Sequence, residues 1–162
     1  MSSKESKYEV EVIFGSDHAG FELKQKICSY LSSRHIVSAI TDTGCFSDER
    51  VDYPDYARKV AHMMTKSGFE NKIGVLVCGT GIGIGIAANR FEHIRCALCT
   101  DTYSAEMSRK HNDANCISLG ARRTSFEDAV KIVEKFLETE FEGGRHQKRL
   151  DKINHLKTML AD

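Results

Sequence analysis

Residues 74–90 read GVLVCGTGIGIGIAANR, an apolar run that passes directly into a glycine-rich segment. The run at 74–78 has the length and composition of a buried β-strand. Glycines alternate with other residues from Gly79 to Gly85, which predicts a tight turn that enters a helix. A strand, a turn and a helix in this order form the repeating unit of a parallel α/β sheet.

The same alternation of apolar strands and amphipathic helices extends outward from this stretch. Strands are predicted at residues 10–14, 36–40, 74–78, 96–100 and 116–119. Helices are predicted at residues 20–33, 54–66 and 102–110, after the glycine-rich turn, around Val130, and at 147–160 as an extended C-terminal helix. This pattern predicts an α/β fold, a three-layer α/β/α sandwich around a five-stranded parallel sheet.

Size and charge restrict the classes of protein to consider. A chain of 162 residues, 41% of them hydrophobic, suits one compact domain. Residues 1–7 are polar and are expected to form a disordered leader, which leaves 8–162 as the single domain. The formal net charge is zero, so no overall positive field attracts nucleic acid or a membrane surface. We therefore expect no nucleic acid and no membrane among the partners.

The chain contains six cysteines, at positions 28, 45, 78, 96, 99 and 116. The first residues, MSSKESKY, lack the apolar segment of a secretory signal. We therefore expect reduced thiols in a cytoplasmic protein rather than a disulfide framework. Cys96 and Cys99 form a C-x-x-C pair, but no second pair completes a metal site, which favours buried thiols.

Ligands of parallel sheets bind beyond the carboxyl ends of the strands. Here that rule selects residues 15–20, 78–85, 100–103 and 119–123. Cys78 ends a predicted buried strand just before a helix, a position that favours the thiolate. Such a thiolate could remove a proton from a carbon beside a carbonyl, or act as a nucleophile. An inert buried thiol is the structural alternative.

The glycines after Cys78 let the backbone approach a ligand closely. Their N–H groups could hold a phosphate or the oxygen anion of an enediolate. Gly83, Gly85 and Ala88 also fit a dinucleotide-binding pattern, with Asp101 as the ribose-binding acid, so a nucleotide-binding protein is an open alternative. Close packing of the helix on the sheet is a purely structural explanation for the glycines.

Two further polar segments have both a functional and a structural interpretation. Asp17 and His18 follow the first strand. They could be a helix N-cap and an ordinary surface histidine, or both could contact a ligand. His111 follows the fourth helix, where a histidine can interact with the helix dipole or transfer protons.

Arginines provide candidate anion contacts in two places. Arg145 and Arg149 are four residues apart at the start of the last helix, so they share one face. Two guanidinium groups on one face suit a phosphate dianion, and a solvated basic patch is the alternative. Arg122 and Arg123 follow the fifth strand, and one of them could add another anion contact.

Five segments together resemble the type B ribose-5-phosphate isomerases and the wider family that includes allose-6-phosphate and galactose-6-phosphate isomerases. They are GSDHAGFELK at 15–24, DYPDYA at 52–57, CGTGIGIGIAANR at 78–90, SRKHNDAN at 108–115 and EGGRHQKR at 142–149. The resemblance implies a Rossmann-like fold that binds no nucleotide. It also implies a homodimer, or a tetramer of such dimers, in which each active site lies between two subunits.

The implied activity is aldose–ketose isomerisation of D-ribose 5-phosphate and D-ribulose 5-phosphate through a cis-enediolate, in the non-oxidative pentose phosphate pathway. By the same resemblance, Cys78 is the base that moves a proton between C2 and C1, and Thr80 assists proton movement between the two oxygens. His111 is the acid that opens the furanose ring. The implied substrate-binding residues are Asp17, His18, Gly79, Gly81, Ile82, Gly83, Asn112, Arg122, Arg145 and Arg149.

The implied chemistry moves no hydride, and fixed dipoles can hold the developing charge. We therefore expect no organic cofactor and no metal. Some family members place serine at the cysteine position and use a nearby glutamate as base. Residues 78–90 contain no acid, so this chain resembles the cysteine subgroup. A non-catalytic sugar-phosphate sensor is a further alternative.

Overall fold

The computed structural model describes residues 5–65 and 71–160. These residues contain one sheet with the strand order β2-β1-β3-β5-β4, in which every neighbouring pair is parallel. The strands are β1 (Tyr8–Ser16), β2 (Val37–Asp42), β3 (Lys72–Cys78), β4 (Cys96–Leu98) and β5 (Cys116–Gly120). The predicted five-stranded parallel sheet is confirmed.

Helices connect the strands and cover both faces of the sheet, which confirms the three-layer sandwich. They are α1 (Phe21–Ser33), α2 (Tyr53–Thr65), α3 (Ile82–Ala88), α4 (Thr102–Asn112), α5 (Phe126–Glu138), α6 (Arg145–Asn154) and α7 (Leu156–Met159). The helices α1 and α5 pack on one face, and α2 and α3 pack on the other. Within the described residues, no helix combines the length and the apolar character required to cross a membrane.

The central strand β3 divides its side chains between two apolar cores. Val75 and Val77 pack with α1 and α5, whereas Leu76 and Cys78 pack with α2 and α3. This alternation follows from the two-residue period of a strand. Because Cys78 is the last residue of β3, its buried side chain lies at the carboxyl edge of the sheet.

The start of the sheet lies further toward the N-terminus than the sequence predicts. The strand β1 begins at Tyr8, whose backbone N–H donates to the Ile36 carbonyl oxygen at 2.8 Å. Residues 1–4 of the expected leader, and Lys66 at the predicted end of α2, lie outside the described residues.

The predicted C-terminal helix is divided into two helices. His155, with φ of −110°, separates α6 from α7. The Nδ1 of His155 lies 2.6 Å from the Asp151 carbonyl oxygen. This contact gives that carbonyl a side-chain partner in the last turn of α6.

Candidate active site

The end of β3 and the turn after it form the centre of the candidate site. Cys78 is 4% exposed, and the Gly81 N–H donates a hydrogen bond of 3.2 Å to its Sγ. Gly81 has a φ of +76°, a left-handed conformation that glycine adopts without steric cost. A negative sulfur at Cys78 would therefore have a backbone donor already in place.

The Thr80 hydroxyl lies on the exposed side of the same turn. Its oxygen accepts a hydrogen bond from the Ile82 N–H at 3.3 Å. A hydroxyl that accepts in this way still has its own proton to donate. Thr80 can therefore exchange a proton with a ligand while its oxygen stays anchored to the backbone.

Residues 121–123, which follow β5, pack along this turn. The Ala121 N–H donates to the Cys78 carbonyl at 2.8 Å, and the Arg122 N–H donates to the Gly79 carbonyl at 3.0 Å. A Cβ on Gly79 would lie 2.9 Å from Nη1 of Arg122. The fold therefore places a guanidinium charge directly against the predicted anion-binding turn.

Close packing explains Gly83 and Gly85, and helix capping explains the nearby Asp101. A Cβ on Gly83 would lie 2.7 Å from Cζ of Tyr53, and one on Gly85 would lie 2.8 Å from a β5 side chain. The Asp101 carboxylate accepts the Ser104 N–H at 2.7 Å and caps α4. The two glycines and the acid of the possible dinucleotide pattern thus each have a local packing or capping partner. Tyr53 is a neighbour of the turn that sequence analysis did not identify.

The end of β1 brings Asp17 to the same edge. The Asp17 N–H donates to the Val77 carbonyl at 3.2 Å, one residue before the end of β3. Asp17 is 7% exposed, and its carboxylate accepts the Gly20 N–H at 3.0 Å. The Val51 N–H donates to Nδ1 of His18 at 3.3 Å. These contacts place Asp17 next to the end of β3 and hold the imidazole of His18 against the backbone of Val51.

His111 lies at the other end of the strands, where they begin, which is the amino edge of the sheet. It is in the last turn of α4, which begins after the carboxyl end of β4 and runs back against the strand direction. Arg95, just before β4, donates from Nε to the Asn112 carbonyl at 3.1 Å. Cys78, in contrast, pairs with Gly120 at the far end of the five-residue β5. The two edges are about 13 Å apart along the strands.

The N-terminal end of α6 lies beside His111 at this second edge. The rings of His111 and His146 stack, with centroids 4.3 Å apart and an interplanar angle of 14°. Arg145 and Arg149 lie one turn apart on α6, and both are exposed. Nε2 of His146 is 3.4 Å from a carboxylate oxygen of Glu142. Sequence analysis did not identify Glu142 or His146 as part of this arrangement.

The predicted site residues therefore form two groups in one chain. The carboxyl-edge group contains Asp17, His18, Cys78, Gly79, Thr80, Gly81, Ile82, Gly83 and Arg122. The amino-edge group contains His111, Asn112, Arg145 and Arg149. The fold brings the members of each group together but keeps the two groups apart within one chain.

Three of the other five cysteines, Cys28, Cys99 and Cys116, have a raised pKa. All six cysteines are free thiols. Burial raises the pKa of Cys28 to about 12 and that of Cys99 to about 11. A hydrogen bond with Cys96, together with burial, raises the pKa of Cys116. These three thiols stay protonated near neutral pH, which suits packing rather than chemistry.

The fold and the carboxyl-edge group define a class of protein: a parallel α/β protein whose glycine-rich turn follows a strand-terminal cysteine. The Ribose/Galactose Isomerase family model matches residues 12–153. The chain belongs to this family.

Similar proteins agree with this assignment over nearly the whole chain. Ribose-5-phosphate isomerase B of Escherichia coli is 44% identical over 147 residues, which cover 91% of this chain and 96% of that protein. The structure of Clostridium thermocellum ribose-5-phosphate isomerase B is 42% identical, with a TM-score of 0.87, and the match covers 93% of this chain and 99% of that one.

A third similar protein was solved with a ligand. It is ribose-5-phosphate isomerase B of Mycoplasma genitalium with bound ribulose 5-phosphate, which is 36% identical with a TM-score of 0.85. The match covers 93% of this chain and 98% of that one.

Proposed function

We propose that this chain interconverts D-ribose 5-phosphate and D-ribulose 5-phosphate, a step of the non-oxidative pentose phosphate pathway. The similar proteins described above carry this activity in their names, and one of them was solved with the ketose product. The observation that carries the proposal in this chain is the buried Cys78 thiol, which accepts a hydrogen bond from the Gly81 N–H.

Cys78 is the proposed base. Its thiolate removes the proton from C2 of the open-chain aldose, and the resulting thiol returns a proton to C1. A hydrogen on carbon beside a carbonyl is a weak acid, so the base needs help from groups that stabilise the enediolate. Because residues 78–90 contain no carboxylate, the thiol is the candidate base within the turn.

The backbone of Gly79, Gly81, Ile82 and Gly83 is the proposed anion hole for the cis-enediolate. Loss of one such donor typically costs about 3 kcal/mol of transition-state stabilisation. The Thr80 hydroxyl moves a proton between O1 and O2, which the enediolate requires before it collapses to the ketose. Arg122 adds positive charge beside the turn. These groups provide a proton path and charge stabilisation from the chain's own residues.

The remaining roles are assigned to sugar and phosphate binding. His111 is the proposed acid that opens the furanose ring, and Asn112 contacts the sugar hydroxyls. Asp17 binds the sugar, and the phosphate and other parts of the substrate are bound by His18, Arg122, Arg145 and Arg149, some of them from the second subunit. A guanidinium group suits this task because its N–H fork matches two phosphate oxygens.

A homodimer would combine the two groups of residues into complete sites. In a two-fold dimer, each chain can give its carboxyl-edge group to one site and its amino-edge group to the other. Exposed apolar side chains next to the glycine-rich turn support such an association. Ile82 is 52% exposed, Ile86 is 63% exposed and Leu98 is 41% exposed. Apolar side chains clustered on a surface in this way are typical of an interface.

The proposed location is the cytoplasm, where a sugar phosphate of central metabolism is available. The six free thiols support this location, because a reducing compartment keeps cysteines unpaired.

The activity is tested by incubating the purified chain with ribose 5-phosphate and measuring ribulose 5-phosphate. Allose 6-phosphate is assayed in parallel because the family also includes isomerases of six-carbon sugar phosphates. We expect turnover of the pentose phosphate without added metal or cofactor. Saturable binding without turnover would instead identify a sensor, and saturable binding of NAD(H) would favour the nucleotide alternative.

A further inference from the structure

We propose that Cys96 and Cys116 are a redox-active thiol pair, which a peroxide converts into a disulfide between the strands β4 and β5. The two residues are direct partners in the parallel register of these strands. Each is the first residue of its strand, and their thiols form a hydrogen bond. Neither residue is assigned to the substrate site, so oxidation of the pair is separate from the proposed isomerisation.

The register of the two strands suits a disulfide. Neighbouring strands lie about 4.8 Å apart, and residues directly paired in parallel strands project toward the same face of the sheet. This separation is within the range of about 4.4–6.8 Å between the Cα atoms of a disulfide. Both side chains pack on the face that α2 and α3 cover, where Cys116 is fully buried and Cys96 is half-buried. The strands therefore need no change of register to bring the two sulfurs together.

Cys99 is closer to Cys96 in the sequence, but it packs on the other side of the sheet. Cys99 belongs to the core that α1 and α5 cover, whereas Cys96 packs against the core that α2 and α3 cover. The Cys99 N–H donates to the Ser118 carbonyl at 3.2 Å, which keeps this residue in line with β5. The sheet thus separates the two cysteines of the C-x-x-C motif, and the partner of Cys96 in space is Cys116 on the neighbouring strand.

Exposure and protonation give the two thiols different roles. Cys96 lines a cavity of about 510 Å³, together with Phe91 and Ile94, and this cavity gives a small oxidant access to it. Cys116 has no exposed surface, and its hydrogen bond with Cys96, together with burial, raises its pKa. Because the thiolate is the form that reacts with peroxide, Cys116 is inert by itself and oxidation begins at Cys96.

The oxidation has two steps. The Cys96 thiolate attacks one oxygen of the peroxide, which forms an S–O bond, breaks the O–O bond and releases hydroxide. The Cys116 sulfur then attacks the sulfur of this sulfenic acid. An S–S bond forms, the S–O bond breaks, and the hydroxyl group leaves with the Cys116 proton as water. The two thiols lose two electrons, the peroxide gains them, and a thiol reductant reverses the change.

Hydrogen bonds hold the backbone on both sides of the pair. The side-chain amide of Asn89 donates from Nδ2 to the Cys96 carbonyl and accepts the Cys96 N–H at Oδ1, both at 2.8 Å. The Cys116 N–H donates to the Arg95 carbonyl at 3.2 Å. Because these contacts keep the two strand ends in register, we expect the disulfide to form within one chain rather than between chains.

Peptide mapping after oxidation tests this pairing. The reduced full-length chain is treated with hydrogen peroxide, and the remaining thiols are blocked with N-ethylmaleimide in urea. Trypsin then releases residues 96–109 and 111–122 as separate peptides. We expect a disulfide between Cys96 and Cys116 in at least half of the chains, with Cys99 carrying the blocking group and full reversal by dithiothreitol. Cys78 lies in another peptide, residues 73–90, so oxidation of the proposed base is measured independently.

Three variants define the pair. Cys96→Ser should leave Cys116 as a free thiol after peroxide treatment, and it tests the site even if a variant of the buried Cys116 fails to fold. In Cys116→Ser, oxidation should stop at the Cys96 sulfenic acid, which dimedone traps. Cys99→Ser is the matched control and should form the same disulfide as the unchanged chain. A Cys96–Cys99 disulfide, a disulfide between two chains, or complete blocking of Cys116 by N-ethylmaleimide after peroxide treatment would each overturn the proposal.

Discussion

Cys78 and His111 lie at opposite edges of the same parallel sheet. Cys78 ends β3 at the carboxyl edge, and His111 is in the last turn of α4, which returns to the amino edge. If both residues act on one substrate, they must come from different chains. The separation of these two residues therefore links the proposed chemistry to the proposed homodimer.

Mixing two inactive variants tests this link. Cys78→Ala removes the base and leaves the amino-edge group intact. Arg145→Ala removes an arginine of the amino-edge group and leaves the carboxyl-edge group intact. After subunit exchange at equal amounts, half of the dimers are mixed and each contains one complete site, so we expect about a quarter of normal activity. The measurement is the isomerase rate before and after exchange. A control mixture of each variant with itself should stay inactive.

Proven subunit exchange without recovered activity would contradict the shared site. Full activity of the Arg145→Ala variant alone would also count against it, because the arginine would then have no part in binding the phosphate.

Gly81→Ala should lower the free energy of unfolding. A Cβ there would lie 2.8 Å from the Leu119 carbonyl carbon, in a left-handed conformation that costs other residues about 1–2 kcal/mol. We expect the free energy of unfolding to fall by more than about 3 kcal/mol. Chemical denaturation measures this change.

Gly143→Ala is the matched control for this prediction. Gly143 has a similar positive φ, but a Cβ there meets nothing within 4 Å. Its cost should therefore be the conformational one alone, about 1–2 kcal/mol. Equal losses in the two variants would show that crowding at the turn contributes nothing.

A buried ion pair provides a third prediction. Lys24 is fully buried, and its Nζ is 2.5 Å from an Asp42 carboxylate oxygen. Asp42→Asn keeps an oxygen that can accept the Gly44 N–H, but it removes the negative charge and leaves the buried lysine unpaired. We expect a loss of about 3 kcal/mol in the free energy of unfolding, measured by urea denaturation.

Glu22→Gln breaks an exposed ion pair with Lys26 and serves as the comparison. Exposed pairs contribute little, so its effect should stay below about 1 kcal/mol. An Asp42→Asn variant as stable as Glu22→Gln would mean that Lys24 is not held by this carboxylate.

The raised pKa of Cys28 predicts an unusual pH dependence of thiol labelling. Burial raises this pKa from 9.0 to about 12, so the thiolate fraction grows about tenfold per pH unit throughout the range from pH 8 to pH 10. The iodoacetamide labelling rate at Cys28, followed by mass spectrometry, should rise in parallel. In the urea-unfolded chain, the rate should level off above about pH 9. The same levelling in the folded chain would contradict the raised pKa of Cys28.

The sheet could be predicted from the sequence because the patterns that indicate strands and turns are local. The apolar residues of β3 and the glycines after Cys78 predict a buried strand and a turn without reference to the rest of the chain. The same holds for Arg145 and Arg149, whose spacing places them one turn apart on α6. Local patterns of this kind determine element type and the neighbours within one edge of the sheet.

Other features depend on contacts between distant segments. The break at His155 is marked by neither glycine nor proline, so the predicted helix continued through it. The stack of His111 on His146 requires α6 to pack on α4, which the spacing of residues does not reveal. The consecutive glycines Gly143 and Gly144 were the sequence signal for the turn that brings Glu142 to this stack. Both have a positive φ in the structure.

The central claim is that the Cys78 thiolate removes the carbon-bound proton, and the Cys78→Ala variant tests it most directly. The rate of ribulose 5-phosphate formation from ribose 5-phosphate is measured by proton NMR for this variant and for Cys28→Ser. The account predicts a loss of at least about a thousandfold in kcat for Cys78→Ala, with unchanged circular dichroism, and near-normal rates for Cys28→Ser. A folded Cys78→Ala variant that keeps near-normal turnover would contradict it.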